Sequence, residues 1–191
     1  MKLNLPLGFH KNGTVVYPAA DEPSYLAGLA YINVHTAAFP GGEIRGQFTL
    51  GASNPMSYCT AKTNSQGCAP AIGSSGLPTL TAPDDFHVTC TQVISNKAGL
   101  MYWGFNPKSA PFAGGTQCVN SPVIRTPVQN SGGNAPPDDC SGVYGFHFSD
   151  AYMASKALLA GNTVFCEYWY RDPVDAATVG LSNGLQAEIL P

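Results

Sequence analysis

The sequence predicts an all-β protein, on three observations. Charged residues make up only 11% of the 191 positions, while glycine numbers 21 and proline 16. That balance suits short strands joined by turns and argues against helical bundles, whose outer faces need many charges. Apolar and polar residues alternate with period two in several segments, as in half-buried strands. Six cysteines, at 59, 68, 90, 118, 140 and 166, occupy the last two-thirds of the chain. None forms a C-x-x-C pair, so three disulfides in an oxidising compartment are expected in preference to free thiols or a zinc site. The formal net charge of −3, without a Lys/Arg cluster, argues against nucleic acid or an anionic membrane as partner. No apolar run approaches the ~20 residues that a spanning helix needs.

Leu3, Leu5 and Leu7 alternate with polar neighbours and read as a first strand. Pro6 interrupts them and no small-residue cleavage site follows, so these residues do not read as a signal peptide. The expectation is that the chain begins inside a domain, as a processed or partial product or with a partner supplying the rest. Residues 13–17 form a second candidate strand, and residues 23–28 a short helical turn. Residues 31–47 read as a hairpin. Ile32 and Val34 alternate with Tyr31, Asn33 and His35, and Ile44 and Phe48 alternate with Glu43, Arg45 and Gln47. Phe39-Pro-Gly-Gly42 supplies the turn, with proline fixing φ and glycine free to take positive φ. The expected register pairs Val34 with Ile44, Asn33 with Arg45 and His35 with Glu43.

The run from Leu26-Ala27-Gly28 through Tyr31-Ile32-Asn33-Val34-His35-Thr36, continued by Pro40 to Gln47, resembles the C-terminal hairpin of the CHRD (chordin) domain. The resemblance covers about the first 50 residues and lacks the front of the family pattern, including its His-x-His motif. It implies an immunoglobulin-like partial β-sandwich of an extracellular protein and does not imply a known catalytic activity.

Residues 51–55, Gly-Ala-Ser-Asn-Pro, mark a composition break, placing one unit at 1–51 and a second at 52–191. In the second unit, residues 86–94 alternate and are rich in β-branched residues. Residues 99–105 are apolar on both faces, as in a central strand covered by two layers. Short strands are expected at 117–119 and 123–125, and an irregular loop at 129–139. Residues 142–148 alternate again. Ser149 or Asp150 caps a short helix running to Leu159, with Gly161 as its stop. Residues 162–170 form a long aromatic strand, and 185–190 the last one. This predicts a second, disulfide-stapled β-sandwich or jelly-roll-like unit. Within it, Tyr58 to Cys68, Gly114 to Cys118, Arg125 to Asn134, Asp139 to Gly142 and Arg171-Asp-Pro173 resemble an uncharacterised C-terminal module of secreted bacterial proteins. Its members end in a cysteine, where this chain has Ile189-Leu-Pro191 and carries Cys90 instead. Among the many pairings open to six cysteines, Cys59–Cys68, Cys118–Cys140 and Cys90–Cys166 are favoured.

His35, His87 and His147 are weak metal candidates. His35 finds a simpler role in a cross-hairpin hydrogen bond to Glu43. His87 and His147 fall in separate strands near Asp84, Asp85 and Asp150. Asp138 and Asp139 lie in a Gly/Pro-rich loop without a regular calcium pattern. No Gly-x-Ser-x-Gly elbow and no phosphate-cradling glycine loop occurs, so neither an enzyme nor a cofactor is expected. Trp103, Trp169 and Tyr170 offer a ligand platform on whichever strand face is not core.

The function expected is that of an extracellular or cell-surface structural and interaction protein. Leu3, Leu5, Leu7, Ile32, Val34, Ile44 and Phe48 would form an apolar face and open sheet edges, covered by another copy or by a partner chain. The competing classes are a carbohydrate-binding module using exposed Trp/Tyr and a metal-binding enzyme.

Overall fold

A computed structural model describes residues 31–34, 44–47, 54–81 and 83–191. The chain divides into two compact units, Met1–Ser53 and Asn54–Pro191. In the first, β1 (Tyr31–Val34) and β2 (Ile44–Gln47) pair antiparallel. Val34 stands opposite Ile44 and Asn33 opposite Arg45, as the alternation predicts. The expected His35–Glu43 pair lies outside the described residues, as do Leu3, Leu5, Leu7 and Phe48.

The second unit is a β-sandwich. Its larger sheet has six strands. In order across the sheet they are β10 (Gln129–Asn130), β6 (Ala98–Gly104), β12 (Thr163–Arg171), β13 (Val179–Glu188) and β3 (Met56–Tyr58). The sixth, β9 (Ile124–Arg125), also pairs with β6. Facing it is a three-stranded sheet of β11 (Gly142–His147), β5 (His87–Val93) and β4 (Ala71–Ser75). A hairpin of β7 (Pro107–Phe112) and β8 (Gly115–Val119) forms a separate two-stranded sheet. A short helix, α1 (Asp150–Ser155), is capped by the Ser149 hydroxyl, which accepts from the Tyr152 amide. It ends well before the expected Leu159.

Period-two alternation decides what each sheet buries. From β5 and β11 come Val88, Cys90 and Tyr144; from β6, Met101 and Trp103; from β12, Val164, Cys166, Tyr168 and Tyr170. These side chains share one core between the sheets, and burying each large one contributes about 1.5–3 kcal/mol. Two tyrosines cross that core in opposite directions. Tyr168 of β12 donates its hydroxyl to the Val88 carbonyl of β5 at 2.8 Å. Tyr144 of β11 donates to the Lys97 carbonyl, just before β6, also at 2.8 Å. Their rings stack 5.7 Å apart and nearly parallel. Gly99 permits this packing, because a Cβ there would stand 2.6 Å from the Tyr144 ring.

Strands β5, β6, β8, β9, β11 and β12 fall where the sequence places them, whereas β13 starts earlier than expected, at Val179. β3, β4, β7 and β10 were not foreseen; β10 opens the stretch 129–139 expected to be an irregular loop, where Gln129 and Asn130 pair with Gly99 and Ala98 at the edge of β6. β7 holds Pro107 and Pro111, which read as strand breakers but are tolerated in a hairpin outside the main sheets.

The cysteine pairing departs from expectation. The bridges are Cys59–Cys118 and Cys68–Cys140, and Cys90 and Cys166 are free and buried. Cys90 and Cys166 sit on facing sheets, in the core that the two tyrosines span. An upright tyrosine reaching the opposite backbone sets a spacing wider than the roughly 4.4–6.8 Å between Cα atoms that a disulfide bridges. Burial pushes both thiols well above the usual range.

Two outcomes follow for the sandwich. Thiol titration of unreduced protein should detect two groups in denaturant and essentially none in the native state; three disulfides would leave none in either. Tyr168→Phe should cost about 1 kcal/mol, the size of one buried hydrogen bond, read as a lower denaturation midpoint at an unchanged m-value.

Candidate functional site

The outer face of the six-stranded sheet carries the chemistry. Leu100 and Tyr102 of β6, Arg125 of β9 and Phe165, Glu167, Trp169 and Arg171 of β12 alternate with the core positions and so share this face. The register sets Tyr102 opposite both Glu167 and Arg125, and Leu100 opposite Trp169. A β-bulge beside them, between Glu167/Gly184 and Trp169/Leu181, shifts the pairing with β13. The β7–β8 hairpin packs over part of the face, where Val119 joins Tyr102 and Phe165 in a second apolar cluster bordered by Tyr58, Leu100, Val123 and Trp169. The Cys59–Cys118 bridge fastens β8 beside the end of β3.

Between hairpin and sheet lies a cleft of about 280 Å³, lined by Leu100, Tyr102, Phe112, Gln117, Val123, Arg125 and Trp169. Its size is near the lower end of the range of about 300–1,000 Å³ for small-molecule pockets. Trp169 is half-buried, and the Arg171 guanidinium lies over its ring at 5.2 Å. Lys108 donates to the Gln117 side-chain oxygen at 2.8 Å, which leaves the Gln117 amide nitrogen to present its two donors.

Beneath Tyr102 is Glu167, 0% exposed. The Tyr102 hydroxyl donates to its Oε2, and the Cys118 amide donates to the same oxygen at 2.7 Å. Oε1 has no hydrogen-bond partner among the described residues. The carboxyl is pushed from 4.5 up to about 7, first by burial, with the bonds from Tyr102 and Cys118 pulling the other way. Glu167 was not singled out in the sequence. A lone glutamate inside an aromatic strand, in Phe165-Cys-Glu-Tyr-Trp169, was the signal that could have found it.

The other candidates divide. Of the proposed platform, only Trp169 faces the cleft. Trp103 is 0% exposed in the core, its indole donating to the Tyr152 hydroxyl at 2.9 Å, and Tyr170 is likewise buried. Period two puts positions 103 and 170 on the core face. His87 and His147 come together as a direct cross-strand pair, with rings stacked 4.3 Å apart. Asp84 stands 3.0 Å from the His147 Nε2. Parallel rings aim their nitrogen lone pairs within separate planes, so the pair does not converge on one ion. No group of three metal-ligating side chains occurs among the described residues. His35 lies outside them. Asp138 holds Lys97 at 2.7 Å. The Asp139 carboxyl, held down to about 2 chiefly by the Ser141 hydroxyl, organises its own loop. No helix among the described residues is long and apolar enough to cross a membrane.

The fold and site thus define a disulfide-stapled β-sandwich with a small cleft on its outer face. In the first unit, residues 4–48 match the CHRD domain. Neither a curated protein nor a solved structure matches the chain.

The raised Glu167 pKa has a defined sign. Between about 4.5 and 7 the folded state keeps a proton that the unfolded state has released, so this group's contribution to stability falls as pH rises across that window. Glu167→Gln, neutral throughout, should match the native protein at pH 5 and melt higher than it at pH 8. Parallel melting curves across the whole range would refute the assignment.

Proposed function

We propose that the protein acts outside the cell as a structural and interaction protein. In this reading it joins other chains, including copies of itself, through the sheet edges and apolar residues of its N-terminal unit. The observation that carries it is the CHRD match at residues 4–48, a domain type of extracellular proteins. The antiparallel β1–β2 hairpin, in the register that its alternation predicts, supports it. The two disulfides accord with an oxidising compartment. Leu3, Leu5, Leu7, Ile32, Val34, Ile44 and Phe48 are the residues assigned to the assembling surface, by strand addition or face-to-face packing.

A second reading, a carbohydrate-binding module, is favoured by one observation. Trp169 is half-buried in a cleft beside Arg125 and Gln117, the combination of aromatic surface and polar rim that sugar rings use.

Light scattering on the native protein tests the assembly role. A mass that is a multiple of 20.0 kDa is expected, with Leu5→Lys reducing it to one chain. The near-ultraviolet circular dichroism of the aromatic-rich sandwich should stay unchanged in that variant. A native protein that remains a single chain at all concentrations would end this reading.

A further inference from the structure

The Trp169 cleft gathers positive charge that the rest of the sandwich does not supply with counterions. Lys62 holds Asp175 at 2.6 Å, and Lys97 holds Asp138 at 2.7 Å. Lys156 lies over the Tyr152 ring at 5.5 Å. The remaining basic residues of the sandwich are Lys108, Arg125 and Arg171. Arg125 is part of the cleft wall, Lys108 bonds to the wall residue Gln117, and Arg171 lies over the wall residue Trp169. None of the three has an ion-pair partner among the described residues. Of the carboxyl groups on this face, Glu167 is fully buried under Tyr102, and Glu188 stands opposite Thr163, at the end of β12 away from Trp169. A chain of net charge −3 therefore keeps a cationic rim around an aromatic cleft.

We propose that this cleft binds an acidic sugar, a pyranose ring bearing a carboxylate, as a unit of an anionic polysaccharide. The proposal deepens the carbohydrate-binding reading and rests on it. Each part of the cleft matches one part of such a ligand. The half-buried Trp169 and the exposed Phe112 take the C–H face of the ring, drawn by the negative face of each π-system. Arg125, exposed at the rim, offers a planar fork of donors that pairs with a carboxylate through two parallel hydrogen bonds. The Gln117 amide, steadied by Lys108, donates to ring hydroxyls or to the second carboxylate oxygen. A nucleic acid fits less well, because three basic side chains supply few of the phosphate contacts such binding needs.

The experiment uses the full chain, with galacturonate and digalacturonate as probes and galactose and a neutral galactobiose as controls. Tryptophan fluorescence and titration calorimetry read binding. Trp103 is sealed in the core, so a change in emission reports on Trp169. Binding of the acidic sugars is expected, weakening as salt is raised. Arg125→Gln should weaken it about tenfold or more, the worth of one charged hydrogen-bond pair, and leave the melting temperature unchanged. Trp169→Ala should weaken acidic sugars and abolish the fluorescence response. Equal binding of neutral and acidic sugars, or of native and Arg125→Gln protein, would overturn the acidic specificity while leaving the carbohydrate reading intact. Binding of no sugar at all would overturn both.

Discussion

The two tyrosines that cross the sandwich in opposite directions set its dimensions. Tyr144 rises from the three-stranded sheet and Tyr168 from the six-stranded one, each ending in a hydrogen bond to the backbone near or within the other sheet. Stacked side by side, they act as struts of fixed length. An aliphatic core sets sheet spacing only through packing, whereas a tyrosine also needs a partner for its hydroxyl, and leaving that group unbonded costs free energy. Much else depends on that spacing. It keeps Cys90 and Cys166 apart as thiols and leaves room for Trp103, whose indole finds Tyr152 on α1.

The same strand that carries Tyr168 also builds the outer site. β12 lies between β6 and β13, covered on one face by the core and on part of the other by the β7–β8 hairpin. Its even-numbered residues go inward, and Phe165, Glu167 and Trp169 go outward. A glutamate on such a face is expensive to ionise. Here it is held by the Tyr102 hydroxyl and the Cys118 amide, and its carboxyl moves up to about 7. Gly184, directly opposite Glu167, leaves space for the Tyr58 ring, which would stand 2.6 Å from any Cβ there. The half-buried Tyr58 donates its hydroxyl to the Cys118 carbonyl, so Glu167, Tyr58, Tyr102 and Cys118 form one polar knot under the cleft. A knot of this kind fixes side-chain positions more firmly than apolar packing alone.

The disulfides serve the same layer. Cys59–Cys118 joins the end of β3 to the hairpin strand whose amide holds Glu167, and Cys68–Cys140 joins two loops. Lys62 reinforces them, its ammonium satisfied by Asp175 and by the Ala113 and Val179 carbonyls. Ala113 belongs to the turn of the hairpin, so a disulfide and a charge-assisted hydrogen bond both hold the cover over the sheet.

The all-β class, the strands at residues 86–94, 99–105, 142–148 and 162–170, and the β1–β2 register were legible in the sequence. Those features follow from local period-two alternation and turn residues, which neighbouring positions record without reference to distant ones. It also named Trp169, Trp103 and Tyr170 as aromatic candidates, and showed that adjacent aromatics must point to opposite faces. It did not say which face was core. Folding settles that, because the choice depends on which sheet comes to lie opposite β12. The cysteine pairing was decided the same way. Bridges depend on Cα separation after folding, and short spacing in sequence, as between Cys59 and Cys68, carries no information about it. Glu167, Arg125 and Gln117 come from strands 8 to 50 positions apart in the chain. They meet because the sheet register sets Tyr102 opposite both Glu167 and Arg125 and the hairpin folds back over them, a coincidence that no single stretch of sequence contains.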